Sequence, residues 1–92
     1  MFYYVYILKS LKDKKLYIGY TENLGERIKK HNEGANESTR SRRPLQLIFA
    51  EAYINENDAR KREKFFKTGH GREELKRILK YTLSQDGSAR TI

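Results

Sequence analysis

The chain of 92 residues contains no cysteine, which excludes a disulfide framework and any thiolate metal site. It has only two histidines, too few for a zinc centre built from the usual nitrogen and sulfur ligands. No apolar run approaches the roughly 18 residues that a membrane span requires. The apolar start is interrupted at Lys9 and has neither a basic leader nor a small-residue cleavage site, so it does not read as a secretory signal. No glycine-rich loop stands between a strand and a helix where it would cradle a nucleotide. Hydrophobic residues make up only 37% of the chain, but 12% are aromatic, and large rings bury much surface from few positions. One small domain remains, expected in the cytoplasm and away from membranes.

Positive charge is abundant. Twenty Lys and Arg against twelve Asp and Glu give a net charge of +8. A domain this basic suits a polyanion, and nucleic acid is the commonest one. Charge alone does not say whether such a contact ends in chemistry.

Periodicity gives an α+β fold. Phe2 to Lys9 carries rings and aliphatics on both faces, as a strand covered on both sides would. Lys12-Asp13-Lys14-Lys15 turns the chain, and Leu16 to Tyr20 returns with Tyr17 and Gly19 on one face and Leu16, Ile18 and Tyr20 on the other. Gly19 weakens a strand, so a close approach or a bend is expected there. Asn23 with Glu26 three positions later opens a helix, with Leu24 and Ile28 facing the sheet and Arg27 and His31 forming a second stripe. Gly34 ends it. A small, polar, basic loop closes at Pro44. Leu45 to Tyr53 reads as a third strand, with Leu45, Leu47 and Phe49 on one face and Ile48, Ala50 and Ala52 on the other. Asn55 starts a second helix that stops at Gly69-His70-Gly71, and a third runs from Arg72 to Leu83. Residues 1–83 form the expected domain, and 84–92 a flexible tail.

A catalytic serine triad finds no supporting spacing. The remaining polar set is Tyr6, Tyr17, Arg27, His31 and an acid on the second helix. Tyr4-Val5-Tyr6, Tyr17-Ile18-Gly19, the pair Arg27 and His31, and Glu63, in that order and spacing, resemble the GIY-YIG nuclease superfamily. The similarity is to its small stand-alone bacterial members, with a Tyr-Ile-Gly-Tyr-Thr run and an Arg-x-x-x-His-Asn helix, and it spans roughly residues 2 to 80. It implies a small α/β sandwich, a three-stranded antiparallel sheet flanked by helices in the order ββαβαα. It also implies phosphodiester hydrolysis with one divalent metal, Mg²⁺ or Mn²⁺.

On that resemblance Tyr17 is the expected base, supported by Tyr6. Because a free phenol titrates near pH 10, its anion needs favourable neighbours. His31 or a nearby lysine would serve that relay. Arg27 would meet the scissile phosphate, and Glu63 would hold the metal. Gly19 would let backbone or substrate pass close to the sheet, and Arg40, Arg42 and Arg43 would meet phosphates, helped by the hydroxyls of Ser38 and Thr39. Asn32 and His70 lie near the expected site. Rival readings accompany these roles: the tyrosines as strand filler, the Arg27–His31 stripe as a solvated face, and Glu63 as the surface partner of Lys67.

The first motif has Tyr-Val-Tyr where the family name has Gly-Ile-Tyr. Tyr20 stands where some repair nucleases have lysine, and no separate targeting domain is evident. Substrate choice therefore falls to this surface, to a homodimer or to a protein partner. The expected function is a metal-dependent endonuclease acting on DNA in repair or recombination. The alternatives are a non-catalytic nucleic-acid-binding module and a basic protein-interaction module.

Overall fold

The structure, a computed structural model, describes residues 1–84. Its strands are β1 (Tyr3–Ser10), β2 (Leu16–Thr21) and β3 (Leu45–Tyr53), and its helices are α1 (Leu24–Asn32), α2 (Glu56–Phe66), α3 (Gly69–Ile78) and α4 (Lys80–Leu83). The expected tail from residue 85 onward lies outside the described residues.

β1 is the central strand of an antiparallel sheet in the order β2-β1-β3. This position explains its composition, since Val5, Tyr6, Ile7 and Leu8 are all fully buried. Alternation sends Val5 and Ile7 to a larger core with Ile18, Ala59, Phe66, Leu75 and Leu79 beneath α2 and α3. Tyr6 and Leu8 go to a smaller core on the opposite face, with Leu45 and the flanking side chains of Leu24, Ile28 and Tyr17.

The β1–β2 turn is tied by Ser10, whose Oγ accepts from the backbone N–H of Lys12 and Asp13. Helix α1 is capped as its sequence predicts: Asn23 Oδ1 accepts from Glu26 N at 3.1 Å. Gly34 follows its end at φ 83°, a left-handed conformation that suits glycine.

Two expectations change. A bulge in the β1–β3 pairing sets Leu8 opposite Leu47 but Ile7 opposite Phe49. Strict alternation therefore fails at Ile48, and Phe49 joins the larger core instead of sharing a face with Leu45 and Leu47. The third helix does not wait for Arg72. Thr68 caps it by accepting from Gly71 N at 3.0 Å, so Gly69-His70-Gly71 forms its first turn. The glycine at 71 reflects crowding rather than a stop: a Cβ there would overlap the Phe65 carbonyl. The helix breaks at Leu79 into the short α4. The order ββαβαα holds, with the last helix in two pieces.

Candidate active site

Alternation along β1 and β2 brings Tyr6 and Tyr17 to the α1 side of the sheet, where His31 meets them. Ring centroids are 6.3 Å apart for Tyr6–Tyr17, 5.9 Å for Tyr6–His31 and 5.0 Å for Tyr17–His31. Tyr6 lies opposite Gly19 in the strand pairing. A Cβ on Gly19 would overlap the Tyr6 ring at Cζ and Oη, so the missing side chain makes room for Tyr6 itself rather than for a passing backbone.

The Tyr6 hydroxyl is 2.9 Å from His31 Nε2. Burial pushes the Tyr6 hydroxyl far above the ordinary phenol range, and Tyr17 and Glu63 add to the effect against an opposing pull from Arg27. Tyr6 therefore keeps its proton. His31 is also fully buried, and its Nδ1 is 2.8 Å from the hydroxyl of buried Thr39. Burial first, and then the Arg27 charge, hold its pKa below the free imidazole value. A neutral His31 supplies hydrogen bonds but no positive charge to favour a phenolate. Of the two candidates for that relay, it acts only through hydrogen bonding.

Arg27 stands one turn before His31, exposed, and close enough for its charge to reach both Tyr6 and His31. Glu63 comes from the other side of the sheet. Arg62 fixes α2 against β3 through paired bonds to Glu51 at 3.0 and 3.2 Å, with its guanidinium 4.3 Å from the centre of the Phe66 ring. Glu63 follows roughly 100° further round the helix, and its carboxylate is near enough to raise the Tyr6 pKa. Its side chain is 19% exposed and accepts from Lys67 Nζ at 3.0 Å, so the surface pair set against metal binding does form.

Among the described residues no group of three or more His, Cys, Asp or Glu gathers as a metal cluster. Glu63 offers one hard oxygen donor, which fits Mg²⁺ or Mn²⁺ held by a single carboxylate with water and substrate phosphate completing the shell. Tyr20, on the face opposite Tyr17, stacks under Arg60 at 4.1 Å, and Arg60 pairs with Glu56.

The basic loop divides. Arg40 donates through Nε to the Gly34 carbonyl, and Arg43 through Nε to the Arg40 carbonyl. Each guanidinium is anchored at one nitrogen beside an open depression of about 640 Å³ lined by Lys12, Asn32, Arg40, Ser41, Arg43 and Pro44. Arg42 is instead half-buried beside Asp13, with Nε 3.4 Å from Oδ2.

The expected hydroxyl contacts also change. Thr39 is buried on His31, and Ser38 Oγ donates to Asn36 Oδ1 at 2.6 Å. Asn32 exchanges two hydrogen bonds with the Leu45 backbone and ties α1 to the start of β3, while His70 is exposed on α3. Sequence reasoning gave Thr39 to phosphate and missed its contact with His31, because a threonine in a polar loop gives no sign of burial. It passed over Lys12 because a charged hairpin turn is ordinary.

Comparisons with known proteins identify the family. The model of the GIY-YIG catalytic domain matches residues 2–78. The chain is 38% identical over 90 residues to a UPF0213 protein of Clostridium perfringens, covering 97% of this chain and 96% of that one. It is 41% identical over 66 residues to the UPF0213 protein YazA of Bacillus subtilis, covering 71% of this chain and 66% of YazA. The solution NMR structure of a UPF0213 protein from Bacillus halodurans superposes with a TM-score of 0.51 at 33% identity, covering 99% of this chain and 94% of that one. The chain belongs to the GIY-YIG family, in the company of the small UPF0213 proteins.

Proposed function

We propose that this protein is a divalent-metal-dependent endonuclease acting on DNA, of the repair or recombination type. The observation that carries the proposal is the meeting of the Tyr6, Tyr17 and His31 rings in one cluster joined by the Tyr6–His31 hydrogen bond, with the charges of Arg27 and Glu63 both reaching Tyr6.

Differences in burial support a division of roles within the cluster. Tyr6 and His31 are fully buried and neutral, so they orient other groups. Tyr17 is only partly buried and can meet water, which makes it the base that receives a proton from the attacking nucleophile. Exposed Arg27 would meet the scissile phosphate and stabilise the charge growing on it. Glu63 would leave Lys67 to hold Mg²⁺ or Mn²⁺, whose chemistry there is neutralisation of charge on the phosphate and the departing oxygen. Gly19 contributes by admitting the Tyr6 ring. Lys12, Arg40 and Arg43 form the flanking phosphate contact, with Arg42 held back on Asp13. A protein partner or a second copy would narrow the choice of substrate. The resting place is the cytoplasm.

The reading is tested by incubating the full chain with branched, nicked and single-stranded DNA, with Mg²⁺, with Mn²⁺ and with chelator. Cut product is expected on at least one substrate, only with metal, and is lost in Glu63→Ala. Salt-dependent binding with no cleavage on any substrate would instead establish the non-catalytic module.

A further inference from the structure

The hydrogen bonds behind Tyr6 have a direction, and Thr39 sets it. Its hydroxyl has one proton and two acceptors in reach: His31 Nδ1 at 2.8 Å and the Asn36 carbonyl at 3.5 Å. The longer contact is at the limit of a useful hydrogen bond, and that carbonyl already accepts from Thr39 N at 3.2 Å. The Thr39 hydroxyl therefore donates its proton to Nδ1, which accepts through its lone pair. A neutral imidazole with an acceptor at Nδ1 carries its own proton on Nε2. Nε2–H then donates to the Tyr6 oxygen at 2.9 Å, which leaves the Tyr6 O–H free to turn toward Tyr17, whose ring centre lies 6.3 Å from that of Tyr6.

We propose that Thr39 is a positioning residue that locks His31 as its Nε2–H tautomer, so that Thr39, His31 and Tyr6 form a chain of donors ending on the Tyr17 oxygen. Tyr6, His31 and Thr39 are each fully buried, so water does not compete and each bond polarises the next. The reverse direction would end on the distant Asn36 carbonyl and turn a lone pair of Tyr6 toward Tyr17. Its hydroxyl would then do nothing for negative charge there. A donor bond at Tyr17 is useful to a residue that must accept a proton, and in this respect the inference rests on the nuclease reading.

The chain's direction is tested without any substrate. Long-range ¹H–¹⁵N correlations on the labelled full chain report which ring nitrogen of His31 carries the proton, and His70→Gln assigns the signals. The expected result is Nε2 protonated and Nδ1 bare but hydrogen-bonded, in the wild type and in Thr39→Ser. In Thr39→Val the Nδ1 signal moves toward that of a free lone pair. Single-turnover cleavage falls about tenfold with DNA affinity unchanged, and Thr39→Ser restores it. A proton on Nδ1 in the wild type would overturn the proposal, as would Thr39→Val cleaving at the wild-type rate. If no variant cuts DNA the nuclease reading fails, yet the spectrum still judges the chain. If Thr39→Val does not fold, the wild-type spectrum decides alone.

Discussion

At Gly19 a missing side chain determines where another one lies. The Tyr6 ring occupies the space that a Cβ would need, and from there its hydroxyl reaches His31. Gly19→Ala must displace the ring, overpack the smaller core and leave buried polar groups unpaired. A loss of about 2–3 kcal/mol in urea unfolding is expected, together with loss of cleavage. Stability within a few tenths of a kcal/mol of wild type would show that Tyr6 has room to move. The sequence revealed that Gly19 needed a reason but not which reason, because the neighbour that fills the space sits on the paired strand. The same limit applied to Thr39. Its spacing carries no period, and its burial depends on how the loop folds back over α1. Tyr6, Tyr17, Arg27 and His31 were legible because strand alternation and the four-residue helical step place them together whatever the loops do.

Among the elements, β3 follows its hydrophobic pattern in extent, Leu45–Tyr53, but departs from it in facing. The bulge beside Leu47 adds one residue and moves Phe49 to the larger core, a local event that alternation cannot anticipate. Helix α3 departs for a different reason. Gly69 and Gly71 read as a stop, yet Thr68 caps the helix and the bare Cα of Gly71 lets it pack on the end of α2. Because the clash in Gly71→Ala would be with Phe65 backbone, side-chain rotation gives no relief. The substitution is expected to destabilise by about 2 kcal/mol, lowering the melting temperature by roughly 10 °C for a domain of this size. An increase, as a simple gain in helix propensity would give, would contradict this packing account.

Across the whole molecule, burial of one histidine links stability to pH. Burial, and then Arg27, lower the His31 pKa below the 6.5 of free imidazole, so between the folded value and 6.5 the unfolded chain binds a proton that the folded chain refuses. Stability therefore rises with pH across that window and is lost as pH falls below 6.5. The melting temperature should drop between neutral pH and about pH 5.5, and His31→Gln should remove most of that slope while lowering stability throughout. An unchanged slope would place its origin elsewhere. At this scale the sequence was most informative. The net charge of +8 and the spaced polar residues pointed to a polyanion and a family. It could not say that Arg42 turns to Asp13 while Lys12 joins Arg40 and Arg43, because that division depends on how the hairpin turn meets the basic loop.

The central claim is that this small domain uses Tyr17 as the proton acceptor of a metal-assisted phosphodiester hydrolysis. The most direct measurement is the single-turnover cleavage rate of Tyr17→Phe on the DNA that the wild type cuts best, with binding measured in parallel. Removing a general base predicts a fall of roughly 10²–10⁴-fold with DNA affinity essentially unchanged. A rate within twofold of wild type would contradict the account.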